Sequence, residues 1–269
     1  MTGDIVQQYP EDVSLHHGDF SLLAAEYSRY REGYAPVVRD TILGLLGRPV
    51  NELDIVDVGA GTGIWTRMIA ERSPRSITAV EPNQGMREAG IRDSTTLPIR
   101  WRAGTAEDTG VDSHSADLLT MASSFHWVDF NAGMREFHRV LRPGGWFVAL
   151  WNPRDIEANP LLREIEGEIT RLRPNLERIS SGRSESIASL SSKLAGLDDF
   201  TNVVYFEGRH TVRQSVDHYL GLWRSTNDVQ VQLGPDLFER FLGHVQDLLA
   251  GREWVDTTYL TRAWAAQTA

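Results

Sequence analysis

Three glycines alternate in "IVDVGAGTGIW" (55–65): Gly59, Gly61 and Gly63 follow an apolar run that carries an acid, Asp57. Side chains missing from every second position, where a strand should hand over to a helix, let a ligand approach bare backbone. A second acid, Glu81, ends the next apolar run, "SITAVEP" (76–82). A carboxylate at that place suits the two hydroxyls of a ribose and argues against a ribose 2′-phosphate. The glycines are spaced G-x-G-x-G, with Ile64 where the dinucleotide pattern G-x-G-x-x-G would put its last one. Farther on, "SSFHWVD" places an imidazole, His126, at the end of another apolar run. None of the eight histidines stands at metal-ligand spacing from carboxylates, and without cysteine there is no thiolate nucleophile or disulfide.

These residues need a frame, and the apolar pattern predicts one. Short β-branched runs at 53–59, 76–82, 99–104, 116–123 and 146–152 read as strands. Helical spacing separates them: "GIWTRMIAERSP", "NQGMREAGI" opened by Asn83 as a cap, and 131–145, ended by Pro-Gly-Gly. Alternation of this kind implies a parallel sheet covered by helices on both faces, with the ligand beyond the carboxyl ends of the strands. After residue 152 the pattern changes. A polar, largely helical stretch (155–198) precedes a strand at 202–212, helices at "SVDHYLGLW" and "PDLFERFLGHVQDLLAG", and a last strand at 257–265.

The five blocks "LDIVDVGAGTG", "ITAVEPNQGM", "RAGTAEDTG", "ADLLTMASSFHWVD" and "EFHRVLRPGGWFVALWN" resemble, in order and spacing, class I S-adenosylmethionine-dependent methyltransferases. The small-molecule type 11 group, which includes trans-aconitate methyltransferase, is the nearest likeness, over roughly residues 20–152. The resemblance implies a doubly wound, mostly parallel seven-stranded sheet with a helical lid. It divides the chain into an N-terminal helical cover (1–50), a Rossmann-like cofactor core (51–154), a helical insertion (155–201) and closing strands with an inserted lid segment (202–269).

Carried over residue by residue, the likeness makes S-adenosylmethionine the cofactor. Asp57, Gly59, Ala60, Gly61 and Gly63 would hold its methionine half, Asp57 either ordering the loop or reaching the amino group. Glu81 would take the ribose, Pro82 and Met86 the adenine face, Thr105, Ala106 and Glu107 the adenine edge, and Ser123 the end of the fourth strand. Many relatives have aspartate in place of Thr105. The segment "EYSRYREGYAP" (26–36) resembles the N-terminal tyrosine-rich cover of these enzymes, with Glu32 replacing a usual proline. Tyr27 and Arg31 would face the cofactor, Arg31 pairing the methionine carboxylate. Tyr34, Phe125, Trp127, Trp151 and Trp223 would wall a small organic acceptor, as would Phe130, Tyr219 and Trp254. His126 is the candidate general base, and His16-His17 could reach the site from the N-terminal arm.

The chain carries 27 basic and 37 acidic residues, a formal charge of −10, which disfavours a nucleic-acid partner despite the arginine-rich run at 171–183. Base N-methyltransferases would also show Asn/Asp-Pro-Pro-aromatic where this chain has Ser124-Phe125-His126-Trp127. With no apolar run near the ~20 residues of a membrane span and a polar, acidic N-terminus, a cytoplasmic protein is expected. Three other readings stay open at this point: a protein that binds S-adenosylmethionine without transferring methyl, an NAD-dependent oxidoreductase and, disfavoured by the charge and the missing Pro-Pro loop, a nucleic-acid or protein methyltransferase.

Overall fold

The computed structural model describes residues 24–178, 187 and 189–269. His16, His17 and the end of the arginine-rich run lie outside them. Seven strands form one sheet: β1 (Asp54–Val58), β2 (Ser76–Val80), β3 (Ile99–Arg102), β4 (Ala116–Ala122), β5 (Leu141–Trp151), β6 (Phe200–Ser215) and β7 (Trp254–Thr268). Their order is β3-β2-β1-β4-β5-β7-β6, parallel from β3 to β5, with β7 antiparallel to both neighbours. Strand order reverses between β1 and β4, and at that switch point a crevice opens at the carboxyl ends.

Helices α1 (Ala24–Tyr30) and α2 (Pro36–Gly44) precede the sheet, and α3 (Ile64–Ala70), α4 (Gln84–Asp93) and α5 (Phe130–Val140) connect its parallel strands. One apolar layer packs α2 and α3 (Ile42, Trp65, Ile69) on one face; another packs α5 (Met134, Phe137) with Phe147 and Trp264 on the other. Asn83 caps α4, its Oδ1 accepting from the Met86 amide at 3.0 Å. Asp129 does the same for α5 through the Ala132 amide. α5 is shorter than its sequence suggests. It stops at Val140 because Leu141 pairs with Ala116 and is buried, so Pro143-Gly144-Gly145 enters β5 through a register shift instead of ending the helix.

Past β5 the chain builds a separate layer from α6 (Pro160–Leu172), α8 (Val216–Arg224) and α9 (Asn227–Leu248), with α7 (Leu190–Ala195) on the sheet. Ile165, Trp223, Phe241 and Leu242 form its own apolar core. α9 bends at Gly234 (φ 71°), just before Pro235. β6 and β7 are longer than the hydrophobic pattern suggests and pair from Phe200↔Thr268 to Ser215↔Trp254. β5 follows β7 only as far as Trp151↔Arg262. The ribbon therefore runs on past the carboxyl end of β5 and carries Tyr259 over the crevice. Among the described residues no helix is long and apolar enough to cross a membrane.

Candidate functional site

The turn after β1 needs its glycines for different reasons. Gly59, Gly61 and Gly63 all have positive φ (64°, 58° and 79°), which L side chains adopt only with strain. A Cβ on Gly59 would sit 2.6 Å from Ser124 Oγ, and one on Gly63 would sit 2.9 Å from the Trp101 ring. Gly61 alone has its nearest neighbour at ordinary contact distance, Met86 Cε at 3.5 Å, so its missing side chain leaves cavity space. Gly63 caps α3 in the left-handed conformation and does not line the cavity, contrary to expectation.

Glu81 is clamped at the end of β2. Its Oε2 accepts from the Gly61 amide at 2.7 Å and its Oε1 from the Asn83 amide at 2.8 Å. Burial raises its pKa, and the two amides act in the opposite direction. Asp57, by contrast, is 1% exposed and lines neither the larger cavity over the turn nor the smaller pocket beside it. The Thr66 and Thr120 hydroxyls both donate to it, and Thr120 in turn accepts from the Trp65 indole at 3.1 Å. Burial pushes the Asp57 carboxyl up to about 7. Of its two expected roles, only the ordering of the loop fits these contacts.

A cavity of about 530 Å³ lies over this turn. Every expected cofactor contact except Asp57 and Gly63 lines it, from Glu81, Pro82 and Met86 at one side through Thr105, Ala106 and Glu107 to Tyr27, Arg31 and Ser123. Arg31 is tied to the upper layer between α8 and α9, its Nε donating to Ser225 Oγ and its Nη2 to the Ser225 carbonyl, both at 3.1 Å. α1 thus bridges two parts of the molecule: Tyr30 packs edge-on against His218 in α8, and Ala24 packs with Met86 and Ala89 in α4.

The aromatic wall is only partly as expected. Tyr34 lines the cavity, with its hydroxyl 2.9 Å from Ser123 Oγ, and Trp127 lines it while 47% exposed. Phe125, Trp151 and Trp223 line neither this cavity nor the smaller pocket beside it: each is nearly fully buried, because bulky apolar rings are worth most inside a core. Phe125 packs with Phe130, Phe137 and Phe147, whereas Trp223 holds the upper layer together beneath Arg154. Phe130, Tyr219 and Trp254 are likewise absent from both cavity walls.

A smaller pocket of about 130 Å³ shares Tyr27, Arg31, Ser123, Trp127, Asn152, Leu222 and Tyr259 with the large one. Its own walls include His126, Arg154, Glu166 and Arg178. The Trp151 indole, which can only donate, points at His126 Nδ1 from 3.3 Å. The ring proton of neutral His126 therefore sits on Nε2, and burial lowers the imidazole pKa to about 4. His126 offers the pocket a donor where a general base would need a lone pair.

Sequence reasoning missed Asn152, Arg154, Arg178 and Tyr259. Asn152 and Arg154 follow directly on the carboxyl end of β5, a position that topology alone could have flagged. Asn152 ties α1's exit to β7, donating to the Gly33 carbonyl at 2.8 Å and accepting from Thr261 at 2.7 Å. Arg178 belongs to the arginine-rich run at 171–183, whose composition did not point to this site, and nothing in the sequence marks Tyr259. Among the described residues no group of His, Asp and Glu could hold a metal ion.

Comparison with known families bears directly on the walls of the large cavity. Residues 56–149 match the family described as Methyltransferase domain. This stretch is similar to a methyltransferase domain. An uncharacterized methyltransferase of Mycobacterium tuberculosis is 36% identical over 161 residues, 59% of this chain and 60% of that one. A ubiquinone/menaquinone biosynthesis C-methyltransferase of Rubrivivax gelatinosus is 33% identical over 97 residues, 36% of this chain and 38% of its own. The chain thus matches less than two-thirds of the length of these relatives. A solved structure from Anaeromyxobacter dehalogenans, provisionally assigned as a type II methyltransferase, has a TM-score of 0.64 at 19% identity, covering 88% of this chain and 98% of that one. That likeness extends the fold beyond the methyltransferase domain to the late strands and upper helices.

Proposed function

We propose that the protein transfers a methyl group from S-adenosylmethionine to a small organic acceptor. The observation that carries this reading is Glu81, fixed by two amides beside the bare backbone of Gly61 on a cavity large enough for a nucleoside. Methyltransferase names among the relatives support it. The donor set fits the cofactor. Each carboxylate oxygen of Glu81 keeps a further lone pair for a ribose hydroxyl. Pro82 and Met86 supply apolar surface for the adenine, with Thr105, Ala106 and Glu107 at its edge. Arg31, whose Nε and Nη2 are already hydrogen-bonded and which lines the cavity, would take the methionine carboxylate.

S-adenosylmethionine, when bound, supplies a methyl group already activated on a sulfonium. What the chain adds is alignment and exclusion of water. Tyr27, Tyr34 and Trp127 put aromatic faces on the walls, suited to a cationic sulfur, and α1 closes the cavity from above. The covering role of the N-terminal helix and of the helices after residue 155 belongs to the same proposal. Calorimetry provides the test. The protein should bind S-adenosylmethionine and S-adenosylhomocysteine and bind NAD poorly; preference for NAD would sink the reading. Failure to form S-adenosylhomocysteine with any acceptor, despite tight binding, would leave a binding protein in place of a transferase.

A further inference from the structure

The smaller pocket contains two buried polar atoms with no hydrogen-bond partner: His126 Nε2 and the Tyr259 hydroxyl. Tyr259 is 4% exposed and its hydroxyl is buried. Both atoms are donors facing the same small space, His126 because its other nitrogen already accepts from Trp151. Leaving two buried donors unmatched is costly, and an acceptor in the pocket removes that cost.

Charge points the same way. The pocket wall carries Arg31, Arg154 and Arg178 against one carboxylate, Glu166. Glu166 is shared, with Arg154 Nη2 at 3.3 Å from one oxygen and Arg178 Nη1 on the other. Asp228, the second partner of Arg178 at 3.3 Å, lies outside the lining. Arg154 and Arg178 are thus matched by two acids, Glu166 and Asp228, and carry no surplus charge as a group. With Arg31 on the same wall, the pocket favours a guest that brings hydrogen-bond acceptors over a cationic one.

We propose that this pocket is the acceptor's anchoring subsite and that the acceptor carries an oxyanion, a carboxylate or a phosphate. The oxyanion accepts from His126 Nε2–H and the Tyr259 hydroxyl, within the field of Arg154 and Arg178. His126 is then a binding donor. The subsite rests on the methyltransferase reading, because it gives the acceptor's place relative to the cofactor cavity whose wall it shares.

Calorimetry on the protein saturated with S-adenosylhomocysteine tests it, using acetate, butyrate, phosphate and methyl phosphate against acetamide and butyramide. At least one oxyanion should bind ten times more tightly than the amides, and the better class identifies carboxylate or phosphate. Tyr259→Phe removes one hydroxyl and no packing, and should weaken that oxyanion about tenfold, the size of one hydrogen bond to a charged group; because Tyr259 also lines the larger cavity, S-adenosylhomocysteine affinity is measured on the same variant and saturation is maintained. Arg154→Gln should weaken it further, with circular dichroism checking that the upper layer stays folded. Amides binding as well as oxyanions, or oxyanion binding indifferent to Tyr259→Phe, overturns the proposal. If S-adenosylhomocysteine itself fails to bind, the cofactor reading falls instead, and the same titration on the unloaded protein still decides the oxyanion site.

Discussion

The larger cavity takes most of its wall from strand ends of the parallel half: residues 59–61 after β1, 81–86 after β2, 105–107 after β3 and 121–124 at the end of β4. The smaller pocket draws on α1, the ends of β4 and β5, α6, the stretch after α6, α8 and β7, so that Tyr27, Arg178 and Tyr259 meet across most of the chain. One is built by backbone geometry, with glycines and clamped amides. The other is built by side chains arriving from separate layers. Sites of the first kind tolerate little local change, whereas sites of the second kind depend on how the layers dock.

That contrast can be broken at the upper layer first. Phe241 is fully buried there and stacks edge-on against Trp223 at 4.8 Å. Phe241→Ala should cost about 3–5 kcal/mol in the stability of that layer. If the two regions are as separable as their cores suggest, urea unfolding should become biphasic while S-adenosylhomocysteine affinity changes only a few-fold. A single transition with lost cofactor binding would show one cooperative unit instead.

Next in size is Glu81→Ala. Losing two hydrogen bonds to a charged group, each about 1.5–3 kcal/mol, should weaken S-adenosylhomocysteine by a hundredfold or more. Unchanged affinity in calorimetry would remove Glu81 from the ribose. A finer comparison uses two glycines of the same turn. Each change to alanine forces a left-handed residue at roughly 1–2 kcal/mol. Gly61→Ala should chiefly reduce cofactor affinity, since its Cβ enters the cavity. Gly63→Ala should chiefly lower the melting temperature, since its Cβ meets Trp101. Equal effects on binding would erase the distinction.

The smallest effects are pH-dependent and of opposite sign. Asp57 has its pKa raised to about 7 in the folded protein, so its contribution to stability is greatest below pH ~4 and is lost as pH rises through 7. Relative to Asp57→Asn, the natural protein should therefore lose melting temperature across that window. His126, lowered to about 4, behaves conversely: its contribution is present above the unfolded value of ~6.5 and is lost as pH falls through 4. Melting curves of His126→Asn against the natural protein should converge toward acid pH. Because His126 stays neutral, turnover should show no limb near pH 6.5 from this residue, and one that disappears in His126→Asn would restore it as a base.

The parallel half of the fold was legible because its signals are local. Buried β-branched runs, Asn83 as a cap and a glycine turn each act within a few residues, and the topological rule then puts the ligand at the strand ends. Where the sequence pattern misled, competition between local and distant partners explains it. Pro143-Gly144-Gly145 reads as a helix stop, but pairing of Leu141 with Ala116 starts the strand earlier. Aromatic residues near the site read as cavity walls, yet Phe125, Trp151 and Trp223 are drawn into cores that no linear pattern reveals.

What the sequence by itself determined is one wall of the larger cavity: a strand–glycine–helix turn, an acid one strand away, and the end of the sheet at which they lie. Those follow from steric limits on φ and ψ and from hydrophobic periodicity, both properties of short segments. Only the tertiary structure decided that His126 presents a proton, because its tautomer is set by an indole 25 positions on, Trp151. It also decided that Asp57 faces inward and that Tyr259 arrives on a ribbon extending past β5. Hydrogen-bond direction and burial depend on partners brought together by folding, and no spacing in the chain encodes them.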